Sequence, residues 1–402
     1  MERAERRADG YGGRATVIRV LHVVPNLVPD GLENMVASLL RSLDRERFQT
    51  GIVSLYAETP GGLEDSLREA GVRLYHLEKR RGLDLRMYPR MMRVLRDFRP
   101  DVLHTHNYVL RYTWPVAAAL RVPGMVHTIH NVANREVDRT GLWLQKLAFR
   151  AGVKAVTIAD EVSASFRRVY GFPEAALIPN GIPVHRYGAP AVSRAAWRAR
   201  NGVAESDFVY VSVARFWPQK DHCTLLEAFA KGPGRSGGAR LLLAGEGTLR
   251  EATADLANRL GIAAQVTFLG RRADIADILG AADVFVLSSR WEGNPLSVME
   301  AMSAGRAVLA TRVGALPELV RHGRDGLLVE AGDAAAMADA MCLLQAQPAM
   351  SRKMGNSGRD RALERFDLPA MVRAYAELYE QFSGQGYAGK TAGVRAGKCI
   401  PI

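Results

Sequence analysis

Short apolar runs rich in β-branched residues alternate with stretches of helical period along nearly the whole chain, in two series separated by a proline-rich gap. A short apolar run bounded by turn residues reads as a strand buried on both faces, whereas apolar residues three and four apart read as one face of a helix. The first series gives strands at Val17 to Val24, Gly51 to Tyr56, Val72 to Leu77, Asp101 to Thr105, Met125 to Ile129, Ala155 to Ile158 and a short one ending at Ile178. The second gives Phe208 to Ala214, Arg240 to Ala244, Gln265 to Leu269, Val284 to Leu287, Ala307 to Ala310 and Gly326 to Val329. Helices fill the intervals. Such alternation implies α/β architecture with parallel, doubly wound sheets and right-handed crossovers, whose ligands sit beyond the carboxyl ends of the strands.

Pro179 to Pro190 carries three prolines and two glycines and reads as a linker. The expected organisation is a flexible start (1–16), a first Rossmann-like domain (17–188), a second (189–367) and a loose tail (384–402). The last predicted helix, about 368–383, has no strand to serve in the second domain and is expected to pack back on the first. Two such domains face each other across a central cleft, a common location for a ligand.

The three cysteines, Cys223, Cys342 and Cys399, are scattered and odd in number, which fits a reducing cytoplasm and suggests neither disulfides nor a structural zinc. The first residues have no apolar core, so no signal peptide is expected, and no apolar run is long enough to span a bilayer. A net charge of +12 must be read from its distribution. Lys79, Arg80, Arg81, Arg86, Arg90, Arg93, Arg96 and Arg99 flank apolar Tyr88, Met91, Met92, Leu95 and Phe98 at helical spacing, predicting an amphipathic helix with a basic outer face. A solvated face and attraction to an anionic membrane surface both explain it. No arginine-rich tail or stacked aromatic pattern points to nucleic acid.

Ser288 to Met302 holds the densest chemistry. It reads as a strand end, a turn at Gly293 and a helix with Pro295 at its first position, where a missing N–H costs nothing. Unpaired amides at such a helix start face the cleft. Glu292 and Glu300 are acceptors suited to a hydroxyl-rich ligand such as a sugar or ribose; two solvated glutamates are the plainer explanation. Arg215 and Lys220 follow the first strand of the second series and together could neutralise a diphosphate without a metal, or stand as ordinary surface cations. Gly245 and Gly247 allow close backbone approach, and Leu269 ends a strand whose backbone could line a flat base. In the first series Gly31 opens a helix, and His130 ends the fifth strand, where it could bond a sugar hydroxyl. His127 lies within that strand, and His104 and His106 are substitutes at the end of the fourth.

Assembled, these residues make the chain resemble the retaining GT-B glycosyltransferases of family 4 (group 1), which includes bacterial lipopolysaccharide and mannosyl transferases. The matching pieces are Gly31-Leu-Glu33, His130, Arg215 with Lys220, Gly245-Glu-Gly247, Phe268-Leu-Gly270, Glu292 with Glu300 in an E-x7-E arrangement, Gly314-Ala-Leu-Pro-Glu318 and the segment from Gly323 to Val329. The resemblance covers roughly residues 17 to 382 and implies a nucleotide-sugar donor, UDP- or GDP-linked, on the second domain and a glycan or lipid-linked acceptor on the first. By resemblance, Arg215 and Lys220 hold the diphosphate, Glu300 the ribose and Glu292 the transferring sugar. The amides of Gly293 and Asn294 assist, Gly245, Gly247, Leu269, Pro295 and Leu296 complete the donor side, Gly31 leaves room for it, and His130 touches the sugar near the reacting carbon. No cofactor or metal is implied, and retention suggests front-face departure and attack. Three departures stand out: Asp30 replaces a second glycine, Asn294 an apolar residue and Ala315 a glycine. The expected function is sugar transfer in surface polysaccharide or glycolipid synthesis, in the cytoplasm and peripheral on the inner face of the membrane. A nucleotide-sugar epimerase, a sugar phosphorylase of the same fold or a non-catalytic sugar-nucleotide binder are the alternatives.

Overall fold

In a computed structural model, seven strands of the first series form one parallel sheet: β1 (Ile18–Val24), β2 (Phe48–Ser54), β3 (Arg73–His76), β4 (Val102–His106), β5 (Gly124–Ile129), β6 (Lys154–Thr157) and β7 (Ala176–Leu177). Residues 17–59 and 61–382 are described; the expected loose ends 1–16 and 384–402, with Cys399, lie outside the described residues. Strand order is β3-β2-β1-β4-β5-β6-β7, so the winding reverses between β1 and β4. The second series forms a parallel sheet of β8 (Phe208–Val213), β9 (Ala239–Ala244), β10 (Val266–Gly270), β11 (Val284–Leu287), β12 (Ala307–Thr311) and β13 (Gly326–Val329), in the order β10-β9-β8-β11-β12-β13. Its reversal lies between β8 and β11. Both are the doubly wound topology the alternation predicts, and ligands of such sheets collect where the order reverses.

Burial explains the composition of the strands. β11 is Val-Phe-Val-Leu and fully buried, as a strand covered by helices on both faces must be. Arg19 is the one charged residue of β1, and its guanidinium is held by Asp101, just before neighbouring β4, at 3.0 Å. The helix Leu368–Phe382 buries Met371, Tyr375, Leu378 and Tyr379 at helical spacing against the helix Gly31–Ser42 and β1, so the chain does return to the first sheet. It crosses beside the outgoing linker: Ile182 donates its N–H to Phe366 (2.8 Å), and Leu368 donates to the Ile182 carbonyl (3.0 Å).

Two segments differ from expectation. The linker contains a short helix, Val184–Gly188. The basic stretch is helical only from Met87 to Phe98. Before Met87 the chain loops around Asp84, whose carboxylate accepts the Arg80 and Arg86 N–H groups (2.9 and 3.2 Å) and the Arg86 guanidinium. Those bonds satisfy a turn, leaving the helix only the later arginines.

Candidate active site

At the reversal of the second sheet, the loop after β8 and the loop after β11 are fastened together. Ser288 donates its hydroxyl to the carbonyls of Lys220 (2.9 Å) and Asp221 (3.0 Å), and buried Asp221 accepts from Thr224 (2.9 Å) and Arg290 (3.0 Å). Asp221 has φ 46°, a left-handed conformation that costs a non-glycine residue about 1–3 kcal/mol and is tolerated where neighbours hold it. Lys220 is thereby pinned beside Glu292. Their Nζ and Oε1 are 2.5 Å apart, and the Ser289 hydroxyl donates to the same oxygen. Gln219 donates to the Trp291 carbonyl at 2.8 Å. Gly245 and Gly247, at φ 149° and 156°, lie so close to this loop that a Cβ would meet the Ala214 and Phe216 carbonyl oxygens at 2.1 and 2.4 Å. Only glycine fits there. Glu300 accepts from the Tyr187 hydroxyl (2.8 Å), and burial pushes its carboxyl above the ordinary range. Leu269, at the end of β10, packs half-buried against the core.

The first half of the chain stands directly over this loop. A Cβ on Gly293 would lie 2.0 Å from the His130 carbonyl oxygen, so the backbones touch there. Asn294 donates its amide to the Ile158 carbonyl at the end of β6 (2.6 Å), and its own carbonyl accepts from Asn180 (3.2 Å). Its Oδ1 is buried without a partner, as is that of Asn180. Glu318 accepts the N–H groups of Asp160 and Glu161 (2.9 and 2.8 Å), capping the helix Asp160–Tyr170 from the opposite half. Asp30 reaches across to Arg215 at 2.8 Å, while nothing crowds Gly31. Pro295 is the extended residue just before the helix rather than its first member, which is Leu296.

At the reversal of the first sheet lies a column of histidines. β1 and β4 pair with His22 beside His104, and His106 shares their face two residues on. His130 Nε2 bonds His106 Nδ1 (2.8 Å), His106 Nε2 bonds His22 Nδ1 (3.1 Å), and His22 Nε2 bonds the Tyr379 hydroxyl (3.0 Å). The same hydroxyl meets His104 Nδ1 (2.7 Å); His104 Nε2 meets Thr128 (2.7 Å), which meets Tyr375 (3.2 Å). If Tyr375 donates to Thr128, each following bond has one consistent direction, and His130 presents Nε2 as an acceptor inward with its proton on Nδ1. Burial lowers the pKa of His22 and His130 to about 3, so the column is neutral at neutral pH. His104 and His106 lie behind His130, fully buried, rather than at the cleft. On the opposite face, His127 bonds Thr105 (2.9 Å) and Gln145 (3.0 Å).

The structure thus brings Lys220 onto Glu292, Arg215 onto Asp30, and His130 onto Gly293 beside Asn294. Residues not anticipated from sequence are Tyr187, Ser289, Asn180, Asp221, His22 and the pair Tyr375 and Tyr379. Glu33, part of the Gly31-Leu-Glu33 match, is buried beside Asp30. Burial and then the charge of Asp30 raise its carboxyl to about 8. Tyr375 and Tyr379 share one helix face and His104 and His106 one strand face, spacings visible in the sequence; what brings the pairs together is the returning path of the chain.

Two doubly wound parallel sheets, with a fixed lysine–glutamate pair at the reversal of one and a histidine from the other against the same loop, have the GT-B architecture. The profile described as Glycosyltransferase Family 4 matches residues 29–186, and that described as Glycosyl transferases group 1 matches residues 207–347. The chain belongs to this family. It is 25% identical over 378 residues to an Escherichia coli UDP-Gal:alpha-D-GlcNAc-diphosphoundecaprenol alpha-1,3-galactosyltransferase, covering 90% of this chain and 96% of that one. It is 28% identical over 293 residues to the lipopolysaccharide core biosynthesis glycosyltransferase LpsD of Rhizobium meliloti, covering 73% and 78%. Anabaena HepE, solved with UDP and glucose, superposes with a TM-score of 0.81 at 21% identity, over 90% of this chain and all of that one. Among the described residues no helix is long and apolar enough to cross a membrane.

Proposed function

We propose that the protein transfers a sugar, with retention, from a UDP- or GDP-sugar to a glycan or lipid-linked acceptor at the cytoplasmic face of a membrane. One observation carries this conclusion: Lys220, Glu292 and Arg215 gather at the reversal of the second sheet, directly opposite His130. Relatives acting on a diphosphoundecaprenol-linked sugar and in lipopolysaccharide core synthesis support the acceptor class, and HepE with UDP and glucose supports the donor class. In this scheme Arg215 and Lys220 take the diphosphate, Glu300 the ribose, and Glu292 and the Gly293–Asn294 amides the sugar. The bond from C1 to the diphosphate breaks, the acceptor oxygen bonds C1 from the same face, and its proton passes to the departing diphosphate. Stabilising the developing phosphate charge is then the chief catalytic contribution, and the two cations supply it. His130, neutral through burial, bonds a sugar hydroxyl without competing for the phosphate.

A thermal-shift screen of nucleotide sugars, followed by anomeric analysis of the product by NMR, tests this. The cognate donor raises the melting temperature by mass action, and the product keeps the donor's anomeric configuration. Glu300→Gln removes transfer while the fold survives. Release of sugar to inorganic phosphate would indicate a phosphorylase, and donor binding without turnover a binding protein.

A further inference from the structure

A groove of about 440 Å³ opens on the first half of the chain between the loop before Met87 and the helix Arg139–Arg150, lined by Leu83, Tyr88, Arg111, Arg139, Trp143 and Leu144. It lies within the range of small-molecule sites, about 300–1,000 Å³. Its walls are unusual for a solvated surface. Leu83 is 68% exposed and Trp143 66%. Trp143 is not needed for the core, because its helix buries Gly141, Gln145, Ala148 and Phe149 instead.

We propose that this groove holds the lipid-phosphate part of the acceptor, a saccharide carried on a long hydrocarbon chain through a phosphate ester; the proposal rests on the transfer reaction given above. The occupant follows from charge and shape together. Apolar side chains and two guanidinium groups line it together, and no carboxylate lines it among the described residues. Arg111 spends one nitrogen on Asp138 (2.8 Å) and keeps its remaining donors, whereas Arg139 forms no ion pair among the described residues. Such a wall matches an anionic headgroup with alkyl carbons attached, since guanidinium forks bind phosphate and tryptophan sits at the lipid interface. Exposed Arg80 and Arg81 flank Leu83, as at a segment lying on an anionic bilayer.

The groove also stands on the strand-end side of the first sheet. Arg111 is five residues beyond His106, the last residue of β4 and the partner of His130. A phosphate held by Arg111 is therefore on the side of the sheet where transfer is proposed.

The test uses the full chain with two acceptors of the same terminal saccharide, one on a polyprenyl phosphate and one on a methyl group. Trp143→Ala, Leu83→Ser and Arg139→Ala alter exposed side chains. Each should raise the KM for the lipid-phosphate acceptor by about tenfold, the factor that ~1.4 kcal/mol represents, with the methyl glycoside and the donor KM unmoved. Equal effects on both acceptors, or none, overturn the proposal. In parallel, neutral phosphatidylcholine vesicles doped with polyprenyl phosphate are compared with vesicles of equal charge from phosphatidylglycerol. The wild type should prefer the former and Arg139→Ala should lose the preference; equal binding to both overturns the proposal in favour of a bulk anionic surface. The vesicle measurement needs no turnover, so a failed transfer assay, which strikes the proposed reaction, is distinguishable from a failed groove.

Discussion

The two sheets reverse their winding in the same way, yet what collects at each reversal is chemically opposite. Beyond β8 and β11 stand formal charges: Lys220 with Glu292, Asp221 with Arg290, and Arg215 nearby. Beyond β1 and β4 stand neutral rings: His22, His104, His106 and His130. The cause lies in what covers them. The helix Leu368–Phe382 seals the histidines, and with no water in reach the protonated form is too costly to hold, so their pKa values fall. On the second sheet each charge keeps an opposite charge in contact. One topology thus supplies a charged half suited to an anionic leaving group and a neutral half that leaves that group to the cations.

The largest consequence falls on the charged half. Lys220→Ala leaves Glu292 buried, its side chain 5% exposed, with no cation. Removing one partner of a buried pair costs about 3 kcal/mol. Transfer should fall by at least about a hundredfold, as when a donor to a developing anion is lost. Thermal unfolding and kcat/KM measure the two effects separately. The double change Lys220→Met with Glu292→Leu should recover the stability but none of the activity. Recovery of activity as well would show that the pair is structural and dissolve the contrast between the halves.

A smaller loss is expected from the neutral half. With Tyr375 donating to Thr128, the Tyr379 hydroxyl accepts from His104 and donates to His22. Tyr379→Phe keeps the packing but leaves buried ring nitrogens unpaired, at a cost of about 1–3 kcal/mol. Acid sharpens the measurement. His22 and His127 have folded pKa values of about 3 against an ordinary 6.5, so the unfolded chain binds more protons between those limits. Stability is therefore fully present above 6.5 and is lost as the pH falls toward 3, by up to ~1.4 kcal/mol per pH unit for each histidine. Acid unfolding followed by circular dichroism should begin at a higher pH in Tyr379→Phe than in the wild type. Coincident acid curves would mean that the hydroxyl does not organise the column.

The same contrast explains which parts were legible beforehand. Strands and helices follow from apolar periodicity, and the charged half could be read because its residues sit in short loops whose glycines and acids are local signals. Gly245 and Gly247 are examples, each forced by a carbonyl within a few residues of Arg215. His22 gave no such signal: one histidine within Ile-Arg-Val-Leu-His-Val-Val reads as core. Its meaning depends on register with His104, 82 positions later by numbering, and on Tyr379, contacts that local patterning does not encode. The basic stretch misled for the opposite reason. Its apolar residues, Tyr88 to Phe98, lie within the observed helix, but the run of basic residues carried the prediction back to Lys79, whereas Asp84 gathers the amides around it into a turn.

Asp30 is where the two halves exchange character, and the smallest effect is expected there. Its replacement of glycine was visible in the sequence, but its partner Arg215 lies across the cleft, at 2.8 Å. The pair is substantially exposed, with side chains 55% and 32% accessible, and such pairs contribute about 0–1 kcal/mol. An incoming diphosphate can displace the carboxylate at that cost. Asp30→Gly removes the competition and should lower the donor KM by up to about fivefold with kcat unchanged, a factor set by that same ~1 kcal/mol. It should also lower the pKa of Glu33, which the Asp30 charge helps to hold near 8. Raising the salt concentration should narrow the gap between wild type and variant, since exposed charges are screened. A donor KM that rises instead would mean that Asp30 positions Arg215 for the phosphate, and the acceptor half would then contribute a charge of its own to donor binding.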